Sequence, residues 1–91
     1  GNVVIEAWAR AKPVVACLSD GPRQLIQTGR NGLLVAVDDA KALAFALRHV
    51  LDETSLRREL GEAGYETYRA RFTEDVVLRQ YLDLFTRVAT G

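Results

Sequence analysis

This 91-residue sequence has no excess charge of either sign, one histidine and one cysteine. Its twelve basic and twelve acidic residues cancel. A chain without net charge lacks the electrostatic footprint of a nucleic-acid binder and the basic patch that seeks an anionic membrane. Arg69 and Arg71 come nearest to such a patch, but Glu66, Glu74 and Asp75 dilute them into a solvated helix surface. Cys17 is the single cysteine, so no internal disulfide can form, and a reducing, intracellular setting is favoured. No apolar run approaches the ~20 residues that span a bilayer. The length suits one small domain, and a hydrophobic fraction of 48% excludes disorder. The sequence therefore reads as a soluble globular chain with a modest core.

The local pattern predicts alternation of helix and strand at the start, then helices alone. Asn2 suits an N-cap, and Val3, Val4, Ala7, Trp8 and Ala11 follow at helical spacing. Pro13 disfavours the α conformation at Lys12 and ends that segment. Val14 to Leu18 is a short apolar run without alternation, as expected of a strand buried on both faces of a parallel sheet. Ser19-Asp20-Gly21-Pro22 breaks it. Pro22 fits the first turn of a short helix reaching about Gln27, with Gly29 where a C′ residue would sit. Asn31-Gly32 then turns into a second strand, Leu33-Leu34-Val35. The Asn-Gly pair also fits a two-residue hairpin. However, Gln24 to Gln27 alternates poorly, and Pro22 would have to enter the ladder. The strand–helix–strand reading implies parallel strands joined by a right-handed crossover.

Beyond Asp38 the periodicity is helical. Asp38 or Asp39 caps a helix with Leu43, Leu47, Val50 and Leu51 on its apolar side. Thr54 or Ser55 caps the next, which carries Leu56, Leu60, Ala63 and Tyr68 and ends near Phe72. Within it, Gly61 and Gly64 each cost about 1 kcal/mol relative to Ala, a weakness that makes sense if a neighbouring element approaches closely there. Thr73 caps a last helix bearing Val77, Leu78, Tyr81, Leu84, Phe85 and Val88. Two strands are too few for a sheet covered on both faces. The pattern therefore resembles part of a larger doubly wound domain.

Familiar catalytic signatures are missing: no G-x-G-x-x-G, no P-loop, no H-E-x-x-H and no Cys/His cluster. His49, the one histidine, falls beside Arg48 on the polar side of its helix near the C-terminus, where a surface role is expected. A triad of Ser19, His49 and Asp20 has no motif to support it. The stretch Gly1 to Glu6 is different in kind. A helix N-terminus offers free N–H groups and a positive dipole end, which suits phosphate. Gly1 lets a ligand come close to the backbone. Glu6, one turn inside, can accept hydrogen bonds from sugar hydroxyls. The plainer alternative is that Glu6 only complements the helix dipole.

The run "GNVVIEAWARAKPVVACLSDGPRQLIQTGRNGLLVAVDDAKALAFAL" resembles the C-terminal signature of family 4 glycosyltransferases, retaining enzymes of the GT-B fold. In that family a helix closing on E-A-x-A is followed by a P-V-V-A strand. A G-G-x-x-E-x-I turn and helix, N-G-L-L-V, an Asp and another helix come after. The resemblance covers the first half closely, and "RFTEDVVLRQYLDLF" is similar to the helices that end such enzymes. The implied fold is α/β, the C-terminal portion of a Rossmann-like GT-B domain with two short parallel strands and about five helices. Residues 1–91 would form one partial nucleotide-sugar-binding domain.

By the same resemblance, an E-x7-E pair holds the donor, and Glu6 matches its second member, which hydrogen-bonds the ribose of the nucleotide. The first glutamate would lie ahead of Gly1. Gly1, Asn2 and Val3 match positions whose N–H groups meet the diphosphate and the donor sugar. No catalytic residue and no metal ligand is expected within this chain, and no cofactor beyond the nucleotide-sugar substrate. Gln24 stands where the family's turn has Glu, and removes a charge. The implied function is the donor-binding part of a retaining glycosyltransferase acting on a glycan, lipid or other acceptor in polysaccharide or lipopolysaccharide biosynthesis. It would be inactive by itself, with the rest of the parent enzyme as its partner. Expected location is the cytoplasm, including the inner face of the membrane for the parent, with no nucleic acid bound. Two other readings stay open: a non-catalytic module that binds a partner or a second copy of itself, and a nucleotide-binding domain of epimerase type.

Overall fold

The computed structural model describes residues 3–90, without the side chains of Asp20 and of residues 88–90. The expected capping by Asn2 lies outside them. Seven elements follow in order: α1 (Val3–Ala9), β1 (Val15–Cys17), α2 (Asp20–Leu25), β2 (Leu33–Val35), α3 (Ala40–Asp52), α4 (Thr54–Arg71) and α5 (Glu74–Thr90). β1 and β2 pair in parallel, with Val15 opposite Leu33, Ala16 opposite Leu34 and Cys17 opposite Val35. That register removes the hairpin alternative, because α2 lies between the strands and carries the chain back for a parallel partner.

The strands are shorter and less buried than their apolar sequences predict. All six residues are half-buried except Cys17, which is exposed. A two-stranded sheet has two open edges, and the described helices cover only part of its faces. Where the helices do cover it, a core forms around Val4, Trp8 and Ile26, with Val14, Ala16, Leu25, Leu34, Tyr68 and Phe72 packed against them. Trp8 and Leu60 are fully buried. The rings of Trp8 and Phe72 sit 6.4 Å apart and tilted by 37°, a favourable aromatic arrangement.

This core explains where α2 departs from expectation. The helix begins at Asp20 and stops at Leu25, two residues before Gln27, because Ile26 turns to an extended conformation (φ −94°, ψ 127°). The turn sends the Ile26 side chain into the core beside Trp8. Gly29, with φ +84°, is not a C′ residue of α2. It belongs to the turn before β2, where its N–H donates to the Gly32 carbonyl at 2.8 Å. A Cβ at Gly32 would lie 3.0 Å from Ile26 Cγ2 and 3.2 Å from the Val14 carbonyl oxygen, so this turn is closely packed.

Of the two candidate caps for α3, Asp39 performs the role, its Oδ1 accepting from the Ala42 N–H at 2.9 Å. The buried side of α3 is Ala46 and Val50, not Leu47 and Leu51, which are 44% and 69% exposed. The apolar side of this helix is wider than the surface it rests on. The start of α4 also differs. Glu53 occupies the N-cap position without a side-chain bond, and Thr54 is already helical. Arg57 closes the junction instead. Its Nη1 donates to the carbonyls of Val50 and Leu51, and Nη2 donates to Thr54 Oγ1 at 3.3 Å. An arginine bonded to the last carbonyls of a helix satisfies groups that have no partner within it. Thr73 caps α5 as expected, accepting from the Val76 N–H at 3.3 Å.

Candidate functional site

Two of the expected donor-binding residues, Val3 and Glu6, lie on α1. Gly1 and Asn2 lie outside the described residues. Val3, the first described residue of α1, is 77% exposed, and Glu6 is exposed in the same helix. The structure therefore leaves these two side chains open to a ligand, with Val4 and Trp8 on the buried side of the helix. This alternation follows from the 3.6-residue repeat. Val4 and Trp8 are one turn apart and face the core, while Glu6 lies about 200° around the axis from each.

Two glycines of α4 seat α1. A Cβ on Gly64 would come within 2.6 Å of Trp8 Nε1 and overlap the indole carbons, and a Cβ on Gly61 would overlap the Ala11 carbonyl oxygen. These glycines leave space for the helix beside them, which answers the question their helix-weakening presence posed. The chain leaves α1 through Ala11 at φ +55°, a left-handed residue that turns it towards Pro13 and β1. The Trp8 indole N–H donates to the carbonyl of Asn31 at 2.9 Å.

Asn31 has no counterpart among the expected site residues. Its sequence context marks a turn, and nothing there distinguishes an exposed turn asparagine from a buried one. Here only 2% of it is exposed, with Oδ1 accepting from the Gln27 N–H at 2.8 Å and Nδ2 donating to Thr67 Oγ1 at 3.2 Å. Gln24, in place of the family glutamate, is exposed and borders a cleft of about 440 Å³ between the α2–β2 turn and α4, next to Gln27, Arg30 and Glu66. A more apolar groove of about 490 Å³ is lined by Val3, Ala7, Val14, Leu47 and Leu51.

His49 is exposed and stacks on Phe45, the ring centres 6.0 Å apart and 11° from parallel. It lies on α3, whereas Ser19 precedes α2, and no contact joins them into a catalytic group. Among the described residues, no cluster of three or more His, Cys, Asp or Glu side chains could hold a metal ion. Among them, too, no helix is long and apolar enough to cross a membrane.

Comparison with known proteins places this geometry in context. Residues 1–67 match the family model described as glycosyl transferases group 1. The chain is 39% identical over 84 residues to the lipopolysaccharide core biosynthesis glycosyltransferase LpsE of Rhizobium meliloti (strain 1021), covering 92% of this chain and 25% of that protein. It is 39% identical over 91 residues to the phosphatidyl-myo-inositol mannosyltransferase of Mycobacterium leprae (strain TN), covering all of this chain and 24% of the relative. Among solved structures, sucrose-phosphate synthase from Thermosynechococcus elongatus superposes with a TM-score of 0.89 at 33% identity, over 99% of this chain and 23% of that one. The chain thus spans about a quarter of the length of each of these three proteins, and its two parallel strands and five helices recur within a GT-B protein.

Proposed function

This chain belongs to the group 1 glycosyl transferases, and on that premise we propose that it is the C-terminal, donor-binding part of a retaining, family 4 enzyme. The parent transfers a hexosyl-type sugar from a nucleotide-sugar to a glycan, lipid or other acceptor. Residues 1–91 form part of its nucleotide-sugar-binding domain. Glu6 accepts the ribose hydroxyls of the donor, and the N–H groups of Gly1, Asn2 and Val3 meet its diphosphate and sugar. The observation that carries this reading is the setting of Glu6. It is an exposed carboxylate on a helix whose opposite side is locked into the core by a fully buried tryptophan.

Catalysis in such an enzyme rests on electrostatic stabilisation of the departing diphosphate by N–H groups and cations. The chemistry calls for no metal and no cofactor besides the donor. On this reading the cationic groups and the acceptor site belong to the rest of the parent enzyme, and the 91-residue chain by itself transfers no sugar. The relatives named for lipopolysaccharide core biosynthesis and for phosphatidyl-myo-inositol support a biosynthetic role, which on this reading lies in the cytoplasm or at the inner face of the membrane.

The experiment is Glu6→Gln in the full-length protein that carries this chain. Loss of one charged acceptor to a bound hydroxyl costs about 1.5–3 kcal/mol, so the donor KM should rise at least tenfold while the melting temperature holds. An unchanged donor KM in a folded variant would return Glu6 to a dipole role.

One observation favours a second reading, self-association. On α5, Leu78, Tyr81, Leu84 and Phe85 are each more than half exposed, an apolar face with no cover among the described residues. Sedimentation of the isolated chain tests this. Oligomers that Phe85→Lys dissolves favour it, and a monomer at high concentration counts against it.

A further inference from the structure

A helix of seven residues makes only about two turns, too few to hold its own place through backbone hydrogen bonds. The angle of α1 is therefore set by what it rests on. The Gly61 and Gly64 positions of α4 fix how close it comes. They do not by themselves fix its rotation, which the burial of Val4 and Trp8 in the core restricts. Within that packing, a directional contact is the hydrogen bond from Trp8 Nε1 to the Asn31 carbonyl, 2.9 Å long and buried.

The position of that carbonyl depends in turn on the Asn31 side chain. Oδ1 holds the end of the α2 segment through Gln27 N–H, and Nδ2 holds α4 through Thr67 Oγ1. The Thr67 hydroxyl donates its hydrogen bond to the Ala63 carbonyl at 3.0 Å, which leaves its oxygen free to accept from Asn31. No buried side-chain nitrogen or oxygen among the described residues lacks a partner. One asparagine thus ties α1, the α2–β2 turn and α4 together, all through bonds that depend on direction. Glu6 rides on the far side of α1 from this anchor. With side-chain tips ~6 Å from a helix axis, a 10° rotation of α1 would move the carboxylate roughly 1 Å. A misplacement of about 1 Å is enough to cost up to roughly a hundredfold in a catalysed rate.

We propose that Asn31, braced by Thr67, is a positioning residue for the nucleotide-sugar site: by holding the Trp8 indole it fixes the angle at which α1 presents Glu6. The proposal rests on the reading of Glu6 as a donor ligand. It predicts that residues with no contact to the donor govern donor affinity.

The test is steady-state kinetics of the full-length protein with Thr67→Val, Thr67→Ser, Glu6→Gln and the Thr67→Val/Glu6→Gln double variant. Circular dichroism and melting curves establish that each is folded. Thr67→Val removes the acceptor for Asn31 Nδ2 at nearly constant volume. It should raise the donor KM roughly three- to tenfold and leave the acceptor KM unchanged, and Thr67→Ser should restore wild-type values. In the Glu6→Gln background the same change should have a much smaller effect, because it acts through Glu6. Should Thr67→Val disturb folding, Thr67→Ala serves as the second variant, since it also removes the hydroxyl that accepts from Asn31 Nδ2 and adds no bulk, with the same donor-specific rise expected. A folded Thr67→Val enzyme with unchanged donor KM overturns the proposal. So does an equal rise in donor and acceptor KM, or an effect of full size on top of Glu6→Gln. If Glu6→Gln alters donor KM and Thr67→Val does not, only the positioning role falls. If Glu6→Gln leaves donor KM unchanged, the donor reading itself falls, and the positioning role with it.

Discussion

Gly64 meets the Trp8 ring and Gly61 meets the Ala11 carbonyl so closely that a single methyl has nowhere to go. Ala at either position would gain up to about 1 kcal/mol of helix propensity. Overpacking costs about 1–3 kcal/mol when the obstacle is a buried ring or backbone that cannot swing aside. We expect Gly64→Ala and Gly61→Ala each to lower stability by about 1–2 kcal/mol in urea unfolding. Gly21→Ala is the control. Nothing lies within 4 Å of its Cβ position and its φ is not positive, so that change should be neutral or stabilising by a few tenths to about 1 kcal/mol. Asn31→Ala leaves the Gln27 N–H without its partner in a part-buried site, and should cost about 1–3 kcal/mol. The two α4 glycines were legible as a close approach because they contradict helix propensity. Asn31 was not legible, since an Asn-Gly turn has the same local sequence whether a tryptophan 23 residues away covers it or not.

At the scale of elements, the strands and helices follow the sequence where local chemistry decides. Pro13 precedes β1, Asp39 caps α3 and Thr73 caps α5. Asp39→Ala should therefore lower stability by about 1 kcal/mol, read as a shift in thermal midpoint, and Asp38→Ala should remove no capping bond. Boundaries depart from expectation where tertiary packing decides. The early end of α2 follows from burial of Ile26, and the entry to α4 is closed by Arg57 reaching back to the carbonyls of α3. Neither is visible in a local window, because each depends on a partner outside it. The apolar positions of α3 and α5 were read correctly as one side of each helix. Their burial was not, because Leu47, Leu51, Tyr81 and Phe85 need a covering surface that the described residues do not provide.

The whole molecule is elongated, 53 Å against 26 and 19 Å, and α5 is exposed along nearly all of its described length. A body of this shape, with half-buried strands and an apolar helix face, suits a piece that packs against further protein. The α/β class and the parallel pair were evident from apolar runs, the spacing of turns and the ordered motifs together. The donor-site assignment came from the order of family motifs around Glu6. Generic helix chemistry alone favoured a dipole role for that glutamate. The isolated chain should show no sugar transfer in a radiolabelled-donor assay, since the cations that stabilise a departing diphosphate and the acceptor site are assigned to the rest of the enzyme. Turnover by the chain alone would refute that division of labour.

The central claim is that Glu6 on α1 holds the nucleotide of the donor. It is tested most directly by a crystal structure of the full-length protein with a nucleoside diphosphate-sugar bound. The account predicts the ribose hydroxyls within about 2.5–3.0 Å of the Glu6 carboxylate and the diphosphate against the N–H groups of residues 1–3. A nucleotide bound away from α1, with Glu6 facing only solvent, would contradict it.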